Sequence, residues 1–194
     1  LVLNTLKSAS VLNPATGTPT PLLDGLATSR NVVVLLPQVD LSARSDALNI
    51  YSLYGNSDHP LVMPPAWQQP APFGVHFGGV FPEFVEKAPE AEFDSWITVG
   101  VTDASATISM SPGLDGTFNT WNEANGFSTT NGAIFWMSPP DGPQGTGIVI
   151  AQITADAGSG TATATLQGRS TAAGNGLCPQ CSPWAVGKAV PTAG

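Results

Sequence analysis

Glycine and proline make up 39 of the 194 residues, and they are spread so evenly that long helices are excluded. The longest stretch free of both runs from Gln38 to Tyr54, and charges and β-branched residues interrupt it. Proline removes a backbone donor and blocks a helix interior, while glycine costs entropy in any regular element. Short strands, turns and long loops are what such a chain can build. Hydrophobic residues are 42% of the total, enough for one core. A chain of this length buries roughly 70% of its extended surface. Charged residues are only 10%, against about 25% in an average domain. The net charge of −8 argues against nucleic acid and anionic membrane surfaces, both of which call for clustered Lys and Arg. Val32 to Leu36 is a five-residue apolar run, far short of the ~18 that a membrane helix needs. No membrane insertion is expected.

Along the chain, the apolar and alternating segments read as strands. Asn31 to Leu36 is a short β-branched run ended by Pro37. Ala47 to Tyr54 places Leu48 and Ile50 on one face. Ser95 to Val101 places Ile97, Val99 and Val101 on one face. Ala106 to Met110 is a shorter candidate. Ala133 to Met137 is apolar throughout, and Gly147 to Thr154 is the strongest run. Thr161 to Gln167 alternates, with Ala162, Ala164 and Leu166 opposite the threonines. Ala155 to Gly160 reads as a hairpin connection between the last two, and Asp115-Gly116 and Asp141-Gly142 as turns. Seven prolines between Pro60 and Pro89, interleaved with Trp67, Phe73, Phe77, Phe81 and Phe84, read as a long packed loop. The expected fold is all-β: a single β-sandwich, jelly-roll-like or Ig-like, with long Pro-rich loops and extended terminal arms. Its core is expected to include Ile97, Val99, Phe135, Ile148, Ile150 and Leu166. The expected organisation is an arm and linker over 1–30, the sandwich over 31–168, and a second arm with a cysteine pair over 169–194.

Candidate chemistry is sparse. His59 and His76 read as turn and loop residues, and no Gly-x-Ser-x-Gly elbow accompanies them. The Cys178 and Cys181 spacing matches no common zinc module. A redox pair should open a helix after a strand, whereas this pair sits among Gly174, Gly176, Pro183 and Gly187. A local disulfide between Cys178 and Cys181 is the expectation. Glu83, Glu86, Glu90, Glu92 and Asp94 read as a solvated acidic loop. No cofactor is expected; calcium is left open, because hard cations take several oxygens. Trp121 lies among Asn119, Asn122 and Asn125, and is the candidate for a glycan-stacking platform. Trp96 and Trp136 lie in apolar strands and are expected inside.

Three segments carry a resemblance: Glu92-Phe-Asp-Ser-Trp-Ile-Thr-Val-Gly100, Thr130-Asn-Gly-Ala-Ile-Phe-Trp136, and Gln144 to Thr154 with Gln167-Gly-Arg169. Over about residues 30–170 the chain resembles a largely uncharacterised family of β-rich modules in secreted multi-domain proteins of marine bacteria and microalgae. The resemblance implies an extracytoplasmic β domain and brings no catalytic residue with it.

The functional expectation is a non-enzymatic structural protein, a subunit of an extracellular filament, sheet or surface assembly whose partner is itself. A carbohydrate-binding module with Trp121 in its site is the alternative, and a hydrolase using loop carboxylates comes third. The expected location is extracellular or at the cell surface, an organelle lumen not being excluded. A start at Leu-Val-Leu-Asn, without Met, reads as a processed product. Leu1, Leu3, Leu6, Val11 and Leu12 form an apolar arm that suits donation to a neighbour's sheet edge. Trp184 to Val190 is the other candidate donor. Pairing of residues 1–12 within their own sandwich stands beside this on equal terms. For the cysteine pair, alkylation without reductant is expected to leave the intact mass unchanged. Two alkylated thiols would remove the disulfide.

Overall fold

The computed structural model describes residues 2–9, 32–42, 47–106, 108–170 and 184–189. Its strands are β1 (Val2–Ala9), β2 (Val32–Asp40), β3 (Ala47–Tyr54), β4 (Leu61–Met63), β5 (Trp96–Ile97), β6 (Ile108–Met110), β7 (Phe127–Thr129), β8 (Ala133–Trp136), β9 (Ile148–Val149), β10 (Ala151–Asp156), β11 (Thr161–Ser170) and β12 (Trp184–Ala189). They form two antiparallel sheets. One runs β1-β2-β10-β5, with β9 also on β2; the other runs β6-β8-β3-β11-β4-β7, with β12 on β11. The fold is an all-β sandwich. Leu35, Val39 and Ile153 from the first sheet join Ile50, Leu53, Ile134 and Leu166 from the second in one buried cluster.

Pro37 does not end its strand; β2 continues to Asp40. Its register explains why. Leu35 pairs Ile153, but Gln38 pairs Val149, so the β9–β10 side holds one extra residue opposite Pro37. That is a β-bulge, where a missing ladder donor is tolerated. The Ile150 N–H still donates to the Pro37 carbonyl at 3.0 Å.

Bulges also correct the face assignments on β3. Its register against β11 slips between Ser52 and Ile50, leaving Tyr51 as an extra residue. A one-residue insertion reverses the facing of everything beyond it. Ile50 and Leu53, three apart, therefore both point inward at 0% exposure, while a second slip, between Asn49 and Ala47, leaves Leu48 as the extra residue there, half-buried. On β8 the inward residue is Ile134; Phe135, placed in the core by its apolar run, is half-buried on the other face. The other expected core residues, Ile97, Val99, Ile148, Ile150 and Leu166, are buried.

Ala155 to Gly160 is not a hairpin. β10 pairs β2 and β5, whereas β11 pairs β3, β4 and β12, so this segment crosses between the sheets. Gly158 and Gly160 take φ of 77° and 153°, which lets the chain make that crossing.

Short helices replace two segments read as loop or turn. α1 (Pro82–Lys87) begins on proline, carries Glu83 in its first turn and Lys87 in its last. Both charges complement the helix dipole. A 3₁₀ turn over Pro89–Phe93 follows. α2 (Pro112–Phe118) also starts on proline and buries Leu114 and Phe118, four apart. Asp115-Gly116 lies inside it, and Asp141 closes a second 3₁₀ turn, Pro139–Asp141.

The acidic segment is not uniformly solvated either. Glu83, Glu86 and Glu92 are exposed, but Asp94 is fully buried. Its Oδ1 accepts the Gln69 and Ser95 N–H groups at 2.8 and 2.9 Å, and its Oδ2 accepts the Val75 N–H at 2.6 Å. The Gln152 side-chain amide donates to the Glu92 and Asp94 carbonyls. The Thr154 N–H donates to Ser95 Oγ, and the Thr154 hydroxyl to the Phe93 carbonyl. The Pro-rich loop is thereby fastened to β10.

Burial pushes the Asp94 pKa up to about 6, against the pull of its three N–H donors. The folded value thus exceeds the unfolded one near 3.8. The native state holds this proton more tightly, so the group's contribution favours folding below pH ~4, declines through pH 4–6 and is flat above. Urea midpoints across this window are expected to lose that slope in Asp94→Asn. Asp94→Ala orphans one buried and two part-buried donors and is expected to cost roughly 2–4 kcal/mol at pH 7. A loss under ~1 kcal/mol in the alanine variant would overturn the role assigned to this carboxylate.

Candidate functional site

Trp121, the sequence candidate for sugar stacking, is only 2% exposed. Its indole N–H donates to the Pro64 carbonyl at 2.9 Å, and its ring lies 5.3 Å from Phe127 and 6.4 Å from Phe118. The polar neighbours that made it look like a loop residue form an Asx-type turn of their own. Asn122 Oδ1 accepts the N–H groups of Ala124 and Asn125, and the ring turns inward beneath it. Trp121 is a core residue and carries no stacking platform. Trp96 is buried as expected, and half-buried Trp136 donates to the Val99 carbonyl at 2.8 Å.

The acidic residues do not converge. Among the described residues there is no group of three or more His, Cys, Asp and Glu able to hold a metal ion. Asp94 is already engaged by three backbone donors. Cys178 and Cys181 lie outside the described residues, as do Leu1, Val11 and Leu12.

Leu3 and Leu6 lie on β1, which pairs β2 of the same chain through Val2↔Asp40, Leu6↔Leu36 and Ala9↔Val34. Within one chain, then, the intramolecular pairing holds. β12 pairs β11 from Thr161↔Ala189 to Leu166↔Trp184. Each terminal strand pairs a single strand among the described residues, so each lies at a sheet margin. At the far margin of the first sheet, Phe77 bridges Ile97, and the Ile97 N–H donates to the His76 carbonyl.

Two clefts flank α2. One, of about 330 Å³, brings His76, Asp115 and Asn119 together over Val75, Phe77, Met110 and Phe118. The His76 ring stacks on Phe118 at 5.2 Å and 6°, and burial lowers its pKa, which favours the neutral imidazole. Among the described residues this lining offers an imidazole and a carboxylate with no hydroxyl or thiol beside them. His59 is exposed in its turn, as the sequence implied.

The second cleft, of about 270 Å³, lies where two paired strands break at the same level. β3 and β4 follow one another along β11, and β7 and β8 follow one another along them. Gly55 and Gly132 face each other at the break, with the Gly55 N–H donating to the Gly132 carbonyl at 2.9 Å. A Cβ on Gly55 would sit 2.2 Å from the Thr129 carbonyl oxygen, so glycine is required there. Ser52, Tyr54, Ser111, Asn131 and Gln167 supply the side chains of the cleft. Sequence reasoning missed all five. The signal that could have located them was the Gly55 and Gly132 pair flanking short strands.

Trp121→Ala is expected to lower unfolding free energy by roughly 3–5 kcal/mol, the range for emptying a buried aromatic site. A denaturation midpoint equal to wild type would return Trp121 to the surface. The chain matches no protein-family model, no curated protein and no solved structure.

Proposed function

We propose that this protein is a non-enzymatic structural subunit that polymerises outside the cytoplasm by exchanging a terminal strand with its neighbour. The observation that supports this reading is the placement of β1 and β12. Each of the two sheets has a margin formed by a strand from one chain terminus. A strand at a margin can leave without breaking the ladder between the remaining strands, and it leaves behind a row of unpaired N–H and C=O groups. The same strand from a second copy fits that row in the same register. Such an exchange of identical elements is a low-cost route to association, and when donor and acceptor surfaces differ it propagates as an open chain.

The sequence supports the reach and the compatibility of the arms. Residues 10–31 separate β1 from β2. A connection of that length can span tens of ångströms at about 3.3–3.6 Å per residue. β1 carries one charge, Lys7, and β12 carries one, Lys188. Little like-charge repulsion therefore opposes strand exchange.

Deleting residues 1–13 is expected to give a folded, soluble monomer that does not polymerise, while the full chain forms concentration-dependent oligomers by size-exclusion chromatography and electron microscopy. A truncated chain that polymerises normally, or one that fails to fold, would remove β1 as the exchanged strand. A full chain that stays monomeric at every concentration would remove the proposal.

A further inference from the structure

We infer that the cleft at the break between β3 and β4 is a binding site for a neutral sugar ring, through Ser52, Tyr54, Ser111, Asn131 and Gln167. The argument begins with charge. Among the described residues, no Asp, Glu, Lys, Arg or His lines this cleft. A metal ion, phosphate or ammonium group would be desolvated there with no opposite charge to offset the cost. The lining is nevertheless dense in hydrogen-bonding groups: three hydroxyls and two carboxamides, which both donate and accept. A ligand matched to it is uncharged and carries several groups that also donate and accept. Sugar hydroxyls have that chemistry.

The state of these groups supports a ligand role. Ser111 Oγ accepts the Ala133 N–H at 2.9 Å, so its proton remains to donate into the cleft. The Asn131 and Gln167 carboxamides are exposed and make no hydrogen bond among the described residues. Tyr54 is half-buried, and its ring gives the apolar face on which a sugar C–H surface packs. Tyr54 is also held in place: its hydroxyl bonds the Asn56 side chain. Asn56 in turn accepts the N–H groups of Asp58 and His59. The wall behind it is pinned as well, because the Thr163 hydroxyl donates to the Pro60 carbonyl. Size limits the ligand. A cleft of about 270 Å³ lies just below the ~300–1,000 Å³ of drug-sized pockets, which fits one ring, free or at the end of a glycan. This site is on the outer face of the second sheet and is independent of strand exchange.

The test is NMR titration of the full-length protein with neutral monosaccharides (glucose, galactose, mannose, N-acetylglucosamine, xylose and fucose), with sodium phosphate and methylammonium as charged controls. At least one sugar is expected to shift the Asn131 and Gln167 side-chain amides and the Gly55 and Gly132 backbone amides saturably, at millimolar affinity. Asn131→Ala and Gln167→Ala remove exposed side chains. Each is expected to weaken that sugar at least fivefold with its thermal midpoint unchanged. The inference is overturned if no sugar in the panel shifts these signals at tens of millimolar. It is equally overturned if a charged control shifts them more strongly than every sugar, or if both variants bind like wild type.

Discussion

One buried carboxylate holds together the part of this molecule that has no regular structure of its own. Asp94 receives N–H groups from Gln69, Val75 and Ser95, three points on a chain whose prolines prevent it from pairing as a strand. A loop rich in proline has few donors, and those it retains must be satisfied once the loop is packed. A single carboxylate with two oxygens satisfies three of them. The consequences reach the sheet. With Phe93 to Ser95 fixed, Gln152 and Thr154 on β10 have carbonyls and a hydroxyl to bond, and Trp67 donates its N–H to the Thr154 carbonyl at 2.7 Å. The margin of β10 beyond the two-residue β5 is thus covered by a loop rather than left open. α1 then lies against the same region, packing Phe84 and Val85 near Trp96, Val80 and Ala91.

This explains which parts of the fold were legible in the sequence. Strands that alternate without interruption were read correctly: Ala162, Ala164 and Leu166 are all buried as their spacing required. Segments with a bulge were not, because period-two reading assumes a constant register. Pro37 and Leu48 each sit at a slip, so a strand was cut short at one and a face misassigned at the other. Asp94 was misread for a different reason. Its neighbours Glu83, Glu86 and Glu92 are solvated, and one-dimensional proximity lent it their environment. Nothing local distinguishes it; what does is the donor-poor loop that folds onto it from 19 to 25 residues upstream. Trp121 was misread in the same manner, from asparagines that form their own turn. The candidate cleft was illegible because its five side chains come from four separate segments, brought together by coincident breaks in two strands.

The low charge content has a structural counterpart. Asp94 apart, several buried polar side chains are neutral and reach backbone groups. Asn49, 0% exposed, donates to the Pro139 and Gly142 carbonyls and accepts the Arg169 N–H, which ties the second 3₁₀ turn to β3 and β11. Thr98 both donates to the Val101 carbonyl and accepts its N–H, closing a turn beside β5. Trp121 and Trp136 each tether a carbonyl in a loop or strand end. Such bonds contribute about 1 kcal/mol each and, unlike exposed ion pairs, do not weaken with salt.

That distinction bears on assembly. Loops fixed by buried hydrogen bonds are screened by salt far less than loops fixed by surface ion pairs. The strands that carry much of the core, β2, β10, β3 and β11, are held by these internal bonds and by their own ladders. β1 and β12 are joined to them by a single ladder each. In the proposed assembly these two terminal strands are the ones that exchange between copies, leaving the ladders among the central strands intact. Under that proposal, exchange replaces one ladder by an identical one, so the balance between closed monomer and polymer is set by concentration and by connection length rather than by new contacts. Salt should accordingly shift that balance only through the subunits' net charge of −8, with screening easing their mutual repulsion and favouring the polymer.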